Sequence, residues 1–160
     1  MPSDNPPRIE LIDASSALLE AALDDAQLSA LLDGAVIAPG WLDFPEALES
    51  MRKAYRDAPS PTRRTMIGWG GYKGAPSDDG EVEIGYAIAP AFQGRGLATL
   101  AAQIMVARAF DAPRVTSVIA HTLPEKNASV RILEKLGFVF AGVVEEEGHG
   151  EVWRWRLRRS

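Results

Sequence analysis

A glycine-rich turn between an apolar strand and a long helix is the part of the sequence best suited to bind a ligand. Residues 82–88 have the pattern of a strand, and residues 97–110 that of a helix in which only Arg108 is charged. Gly94 and Gly96 in the turn allow the backbone to approach a ligand closely, and the free N–H groups at the start of the helix point toward it. The turn therefore predicts a site for a phosphorylated ligand.

The glycine spacing in this turn decides which phosphorylated ligand it suits. The mononucleotide pattern G-x-x-x-x-G-K-[ST] does not occur in the chain, and the dinucleotide pattern G-x-G-x-x-G fails because Thr99 stands at its third glycine. The string that is present is Gln93-x-x-Gly96-x-Ala98. It resembles the acyl-CoA pyrophosphate loop of the GNAT superfamily of N-acetyltransferases, which reads Q/R-x-x-G-x-G/A.

Three further segments stand in the order and at the spacing of the same family. Glu83-Ile84-Gly85-Tyr86 lies on the preceding strand, Asn127-Ala128-Ser129 opens a later helix, and Glu134-Lys135-Leu136-Gly137-Phe138 closes that helix. The last two look like the branch that contains the ribosomal-protein N-terminal acetyltransferases and many small-amine acetyltransferases. Together the matching segments cover residues 66–157.

The resemblance implies both a fold and a cofactor. The fold is α+β: helices flank a twisted, mixed, mostly antiparallel sheet whose two central parallel strands splay at the cofactor. We expect one acyl-CoA N-acyltransferase domain over residues 1–160, with acetyl-CoA as co-substrate. The residues implied to bind CoA are Ile88, Ala89, Gln93, Gly94, Arg95, Gly96, Leu97, Ala98, Thr99 and Asn127.

Acyl transfer from a thioester to an amine requires the amine to lose its proton. At pH 7 this costs about 4 to 5 kcal/mol for a lysine-like amine and about 1 kcal/mol for an α-amine. Strand alternation places Glu81 and Glu83 on one face and the apolar Val82 and Ile84 on the other. In family members with a similar strand, a glutamate at the Glu83 position approaches the acceptor amine. Glu83 is therefore the candidate base, acting directly or through a water, with Glu81 and His121 as alternatives.

The resemblance assigns the remaining steps to residues around the cofactor. A backbone N–H near Ile88 or Ala89 would bond the thioester oxygen, an oxyanion-type contact. Asn127 would bond the pantetheine or the nearby backbone, and Ser129 would return a proton to the departing thiolate. Both residues also have a purely structural explanation, because they are favoured near helix starts. Other branches place a tyrosine where Leu133 stands here, which excludes tyrosine acid catalysis from that position.

The composition excludes several other chemistries. The 160 residues contain no cysteine, so disulfides, thiolate metal sites and a cysteine nucleophile are ruled out. The two histidines lack carboxylates at a metal-binding spacing, and the acidic tip 145–147 beside His149 is typical of a solvated turn, so we expect no metal. A net charge of -5 argues against nucleic acid as a partner and is compatible with a cationic amine.

The sequence also predicts where the protein is located, what it acts on and which other functional classes compete with an acetyltransferase. No uncharged apolar run approaches the roughly 18 residues of a membrane span, and the first residues lack the basic start and apolar core of a signal peptide. We therefore expect a cytoplasmic enzyme that acts on a small amine or a peptide N-terminus, with a homodimer as a possible assembly because the family often forms dimers. The competing classes are a non-catalytic acyl-CoA-binding module and a nucleotide-binding domain.

The other elements follow from hydrophobic periodicity and from capping residues. Asp13, Asp24 and Asp43 are predicted to begin helices in the first third, and Thr122 has the spacing of a cap before the helix that Gly137 ends. Strands are predicted at 8–12, 65–73, 81–89, 114–120, 138–145 and 151–157.

Overall fold

The computed structural model describes residues 9–42 and 65–160. The chain divides into two compact units, one formed by Met1–Trp69 with Ala87–Ala101 and the other by Gly70–Tyr86 with Ala102–Ser160. The expectation of one domain stays a prediction. In chain order, the described helices and strands are α1 (Ser16–Ala21), α2 (Asp25–Leu31), β1 (Val36–Ile37), β2 (Thr65–Met66), β3 (Gly68–Tyr72), β4 (Glu81–Ile88), a 3-10 turn (Pro90–Phe92), α3 (Leu97–Asp111), β5 (Ser117–Thr122), α4 (Ala128–Lys135), β6 (Val139–Glu146) and β7 (Gly150–Arg158).

The helices of the first unit begin at side-chain caps. The Ser15 hydroxyl accepts a hydrogen bond from the Leu18 amide at the start of α1, and the Asp24 carboxylate accepts from two amides of α2. The prediction for Asp24 is confirmed. The prediction of a cap at Asp13 is wrong by two residues, because Ser15 satisfies the free amides instead. Residues 9–12 form no strand, and the helix predicted after Asp43 lies outside the described residues.

A small apolar core holds the described part of the first unit together. Leu28 and Trp41 are buried in it, as is Ala89 just after β4, while Met66 and Phe92 pack against it from its edge. β1 and β2 form a short parallel pair, with Val36 opposite Thr65 and Ile37 opposite Met66. The packing fixes the start of the glycine-rich turn, because Ala89 and Phe92 flank that turn on its N-terminal side.

Five strands form a mixed sheet in the order β3-β4-β5-β7-β6. β4 and β5 are parallel, whereas β7 is antiparallel to both β5 and β6. β3 runs antiparallel to β4, since the Lys73 amide donates to the Glu83 carbonyl and the Ala89 amide donates to the Ile67 carbonyl. The mixed, mostly antiparallel sheet predicted from the sequence is confirmed.

The pairing between the two parallel strands ends early. Glu81, Val82 and Glu83 pair with Ser117, Val118 and Ile119, and the register stops there. β4 nevertheless continues to Ile88 and β5 to Thr122. The parting of the central parallel strands, expected from the sequence, therefore begins directly after Glu83.

Each face of β4 has a distinct character. Val82 and Ile84 are buried, with 5% and 2% of their surface exposed, while Glu81 and Glu83 on the other face are only half-buried. The prediction of one apolar and one acidic face is confirmed. On β7 the buried Trp155 donates a hydrogen bond from Nε1 to the Thr122 hydroxyl, which ties β7 to the end of β5.

The last residues after β7 close the turn that follows α3. The Arg159 guanidinium donates to the carbonyls of Val115 and Ala112, and it lies 5.2 Å from the centre of the Phe110 ring. Arg159 thus contacts two backbone acceptors and one ring that lie more than 40 residues earlier in the sequence. Within residues 9–42 and 65–160, no helix is long and apolar enough to cross a membrane.

The turn before β4 depends on a glycine. Gly80 has φ +78°, and a Cβ there would lie 2.4 Å from the Arg114 carbonyl oxygen and 2.9 Å from Thr116 side-chain atoms. We expect Gly80→Ala to lower the free energy of unfolding by about 2 kcal/mol or more, since it adds a clash to left-handed strain. Gly74 is the matched control, because its φ is +81° with nothing within 4 Å of a Cβ. Urea unfolding of both variants measures the difference, and equal losses would contradict the prediction.

Candidate active site

The glycine-rich turn has the backbone geometry that the sequence predicts. Gly94 and Gly96 have φ values of +72° and +75°, and a Cβ at either position would meet nothing within 4 Å. α3 begins at Leu97, and its first turn is closed by the Leu100 amide donating to the Gly96 carbonyl. In the described ranges, the backbone amides of residues 94–99 have no backbone acceptor. These free donors, with the helix dipole behind them, suit an anionic ligand.

Two side chains hold the turn in place. The Gln93 side chain donates from Nε2 to the Ile88 carbonyl at 2.8 Å, so it fastens the turn to the end of β4. The Arg95 guanidinium lies 5.4 Å from the centre of the Phe92 ring, a distance suited to a cation–π contact. Arg95 is exposed and presents its guanidinium group at the mouth of the turn.

The end of β4 offers a free amide at Ile88 rather than at Ala89. The Ala89 N–H donates to the Ile67 carbonyl at 2.7 Å and is not available to a ligand. Amides alternate along a strand, so the Ile88 N–H points away from β3, toward the edge where pairing with β5 has already ended. Of the two amides that the sequence left open for the oxyanion contact, the geometry favours Ile88.

Glu83 lies at the centre of a charged cluster on the acidic face of the sheet. Its Oε1 is 2.6 Å from the Lys73 ammonium and 3.0 Å from Nδ1 of His121. The Glu83 and His121 side chains are each only 15% exposed, and the other ring nitrogen of His121 is buried with no hydrogen-bond partner among the described residues. Two of the three bases considered from the sequence, Glu83 and His121, are thus directly hydrogen-bonded to each other.

Lys73 joins Glu83 to a second carboxylate. Its ammonium is 2.9 Å from Oε1 of Glu146, the last residue of β6. Burial alone would lower the pKa of Lys73, but its hydrogen bonds to Glu83 and Glu146 outweigh burial and raise that pKa. Burial likewise opposes ionisation of Glu146, yet the bond and the charge of Lys73 lower its pKa. Both groups are therefore held in their charged forms at neutral pH.

Glu81 has different surroundings from Glu83. Its two carboxylate oxygens contact the guanidinium groups of Arg154 and Arg156 at 2.5 and 2.6 Å, and Ser117 lies 3.4 Å from one of them. Both oxygens of this carboxylate are occupied by guanidinium groups, so an acceptor amine could reach Glu81 only by displacing a charge-assisted contact. The geometry therefore favours Glu83 and His121 over Glu81 as the base.

The buried hydroxyl of Tyr86 lies on the apolar face of β4, beyond the last residue that pairs with β5. It has no hydrogen-bond partner within the part of the chain that the structure describes. Burial raises the pKa of Tyr86 to about 12, so the group is a neutral hydroxyl at physiological pH.

The start of α4 shows what Asn127 and Ser129 do in the free chain. Asn127 is the N-cap, and its side-chain oxygen accepts from the Val130 amide at 3.0 Å. The cap predicted at Thr122 is wrong, because Thr122 lies in β5. Ser129 is half-buried in the first turn, and Leu133 is 1% exposed. The capping bond occupies one acceptor of Asn127 and leaves its side-chain NH2 group as a donor, so capping and cofactor binding are compatible.

Glu83, His121 and Glu146 also have a spacing that could hold a metal ion. One ligand atom of each lies within 4.8 Å of the others. The Lys73 ammonium already bonds to the two carboxylates of this group, which supplies a positive charge there. The expectation of no metal stays a prediction.

Sequence reasoning did not find Lys73 or Glu146. Glu146 was interpreted as part of a solvated acidic tip, and this is wrong for Glu146, although Glu145 and Glu147 are exposed. Lys73 follows β3 and Glu146 ends β6, so only the completed strand order brings their charges together. The one usable signal was the antiparallel pairing of 65–73 with 81–89, which places Lys73 opposite Glu83.

The lowered pKa of Glu146 has a consequence for acid stability. A carboxyl with a lowered pKa stabilises the fold above its unfolded value of 4.5, and this contribution is lost as the pH falls through the folded value. We expect Glu146→Gln to lose less stability than the parent on acidification from about pH 6 to pH 3. Thermal unfolding of parent and variant across this pH range measures the loss of stability. Glu145→Gln, which removes the neighbouring exposed carboxyl, is the control. An unchanged acid dependence in Glu146→Gln would contradict the prediction.

Comparison with known proteins places the chain in a family. The family model described as an acetyltransferase (GNAT) domain matches residues 24–139, which is more than half of the chain. The resemblance found in the sequence is confirmed.

Several solved structures share the fold. They include RimJ from Mycobacterium smegmatis in complex with CoA-disulfide, at 21% identity and a TM-score of 0.54 over 59% of this chain and 48% of that one. A ribosomal-protein alanine acetyltransferase from Vibrio fischeri matches at 20% identity with a TM-score of 0.54. The match covers 59% of this chain and 55% of that protein. A chimera of spermidine N-acetyltransferase from Vibrio cholerae matches at 23% identity with a TM-score of 0.53. The match covers 59% of this chain and 60% of that protein. The chain thus spans roughly half of each of these proteins, and at such identities the likeness concerns the fold.

Proposed function

Because the chain belongs to the GNAT acetyltransferase family, we propose that it transfers the acetyl group of acetyl-CoA to a primary amine. The observation that carries the proposal is the glycine-rich turn within the matched range, with two left-handed glycines and a row of free amides at the start of α3. The fold neighbours named for their substrates are a ribosomal-protein acetyltransferase and a spermidine acetyltransferase chimera, which supports an amine acceptor. A small amine and a peptide N-terminus both remain within the proposal.

The amides of residues 94–99 would bind the pyrophosphate of CoA, with Arg95 adding a positive charge. Gly94 and Gly96 leave the space in front of the backbone open, which lets phosphate oxygens reach the N–H groups. Gln93 acts by holding the turn on β4 through its bond to the Ile88 carbonyl. The Ile88 N–H would bond the thioester oxygen and stabilise the negative charge that develops on it during attack. Asn127 would bond the pantetheine through its side-chain NH2 group.

Glu83, with His121 bonded to it, would accept the proton of the acceptor amine. The neutral amine then attacks the thioester carbon, so that a C–N bond forms and the C–S bond breaks. Ser129 would deliver a proton to the CoA thiolate as it leaves, and it would regain one from the nitrogen, which loses its second proton as the amide forms. The amine proton passes to the Glu83–His121 pair and then to solvent, so the net products are an acetamide, CoA and one proton. No covalent enzyme intermediate is formed, in agreement with the absence of cysteine.

Ligand binding at the turn is testable by thermal shift. Acetyl-CoA and CoA at about 100 times their dissociation constants should each add about 2.7 kcal/mol of stability, whereas ATP and NAD should add none. In Gly96→Ala the strained loop should weaken CoA binding roughly tenfold, or about 1.4 kcal/mol. Gly148→Ala is the control, since Gly148 has φ +82° and equally open surroundings outside the turn. Stabilisation by ATP or NAD in place of CoA would assign the turn to a nucleotide instead.

Catalysis is tested by replacing the proposed base and acid. We expect Glu83→Gln to lower kcat roughly 100-fold or more, and Ser129→Ala to lower it to a lesser extent, with the CoA dissociation constant unchanged in both. Glu151→Gln removes an exposed glutamate of β7 and serves as control. Release of the CoA thiol over a panel of amines gives the rates. If the parent protein binds acetyl-CoA but acetylates no amine on the panel, the non-catalytic acyl-CoA-binding module replaces the enzyme.

A further inference from the structure

The Lys73 ammonium occupies a place suited to a substrate. It is held between Oε1 of Glu83 at 2.6 Å and Oε1 of Glu146 at 2.9 Å. In the proposed reaction Glu83 takes the proton of the acceptor amine, so an acceptor must bring its nitrogen to the carboxylate that Lys73 now contacts. The free chain therefore presents its own alkylammonium group at the position of the reacting amine.

The three side chains differ in how easily they can move. Lys73 is 51% exposed and has a flexible four-carbon stem, so its ammonium can turn out into water at low cost. Glu83 and Glu146 are only 15% and 28% exposed, and they come from two strands of the same sheet. Departure of Lys73 would leave the two carboxylates in place and facing a vacated position.

The charges of Glu83 and Glu146 then decide which acceptor can take the place of Lys73. Glu83 and Glu146 have oxygens within 4.8 Å of each other, and the positive charge of Lys73 offsets their repulsion. A neutral acceptor would leave these half-buried carboxylates uncompensated, which is costly away from bulk water. An entering ammonium keeps the local charge unchanged, because one ammonium is exchanged for another. The two arginines on this face do not replace Lys73, since Arg154 and Arg156 are bonded to Glu81.

From these observations we infer that Glu83 and Glu146 form an ammonium site that selects protonated alkylamines as acceptors, with Glu146 as the specificity-determining residue and Lys73 as an internal competitor. The inference rests on the proposed function, because it adds the acceptor class to the same site. After binding, the acceptor nitrogen transfers one proton to Glu83, and Glu146 stays ionised. The negative charge of -5 on the whole chain also favours the approach of a cation.

The test uses an alkylamine that copies the end of the lysine side chain. n-Butylamine is protonated at pH 7, whereas aniline is a primary amine of similar size that is neutral at this pH. Glu146→Gln should raise the KM for butylamine roughly tenfold and leave that for aniline unchanged. Lys73→Met should lower the KM for butylamine roughly threefold or more, because the internal competitor is gone. Lys135→Met, at an exposed lysine of α4, should change neither value.

The direction of the Lys73→Met effect separates this role from a structural one. Loss of a merely stabilising ion pair would weaken acceptor binding or leave it unchanged, whereas removal of a competitor strengthens it. A KM for butylamine that rises or stays constant in Lys73→Met overturns the inference. Equal effects of Glu146→Gln on butylamine and aniline overturn it as well.

Calorimetric titration with butylammonium chloride, at constant ionic strength and without acetyl-CoA, keeps the inference separate from catalysis. Tighter binding to Lys73→Met and weaker binding to Glu146→Gln, with no acetylation of any amine, would support the ammonium site and refute the transferase. If the protein acetylates amines but all variants bind butylammonium with the same affinity, the transferase is supported and the ammonium site is refuted.

Discussion

The early end of the β4–β5 ladder is the constraint on which the candidate site depends. Parallel strands that stayed paired would use the amide of Ile88 in the sheet, and no backbone donor would remain at the end of β4. Because pairing stops at Glu83, that residue is the last on β4 with a register partner on β5, and its carbonyl also accepts from Lys73 on the β3 side. The strand thus carries a rigidly held carboxylate at one point and a free amide further along. Both the proposed base and the proposed oxyanion donor follow from this one change in pairing.

The acidic face of the sheet divides its charges into two groups with different roles. Glu81 is bonded by two guanidinium groups, which present their donors in a fixed planar geometry, so that group is suited to joining β4 and β7. Glu83 and Glu146 share a single exposed ammonium on a flexible stem, so their partner is exchangeable. Two glutamates two residues apart on one strand therefore differ through the kind of cation beside them. Charge counting along the sequence cannot reveal this difference, because the cations come from β3 and β7.

The features that could be predicted well from the sequence are local ones. The glycine turn, α3 from Leu97, the acidic and apolar faces of β4 and the helix ended by Gly137 are all set by short-range patterns, and the structure has each of them. Caps were harder to place, because Asp13 and Thr122 carry acceptor oxygens as suitable for capping as those of Ser15 and Asn127, which are the caps in the structure. The surroundings of Glu83 could not be predicted, because they require Lys73 from just after β3, His121 from β5 and Glu146 from β6. Long-range pairing, rather than residue type, decides which groups surround each of the candidate bases.

The position of β7 has a consequence for how the chain acquires this sheet during synthesis. β5 lies in the middle of the sheet, yet one of its two neighbours is β7, which follows all the other described strands in chain order. Until residues 150–158 emerge from the ribosome, β5 has an open edge, β6 has no strand to pair with, and the carbonyls held by Arg159 are unbound. Chain elongation at about 5–20 residues per second gives this open edge only a brief lifetime before β7 arrives. A chain whose synthesis stopped before β7 would expose the backbone of β5, a template for aggregation of nascent copies.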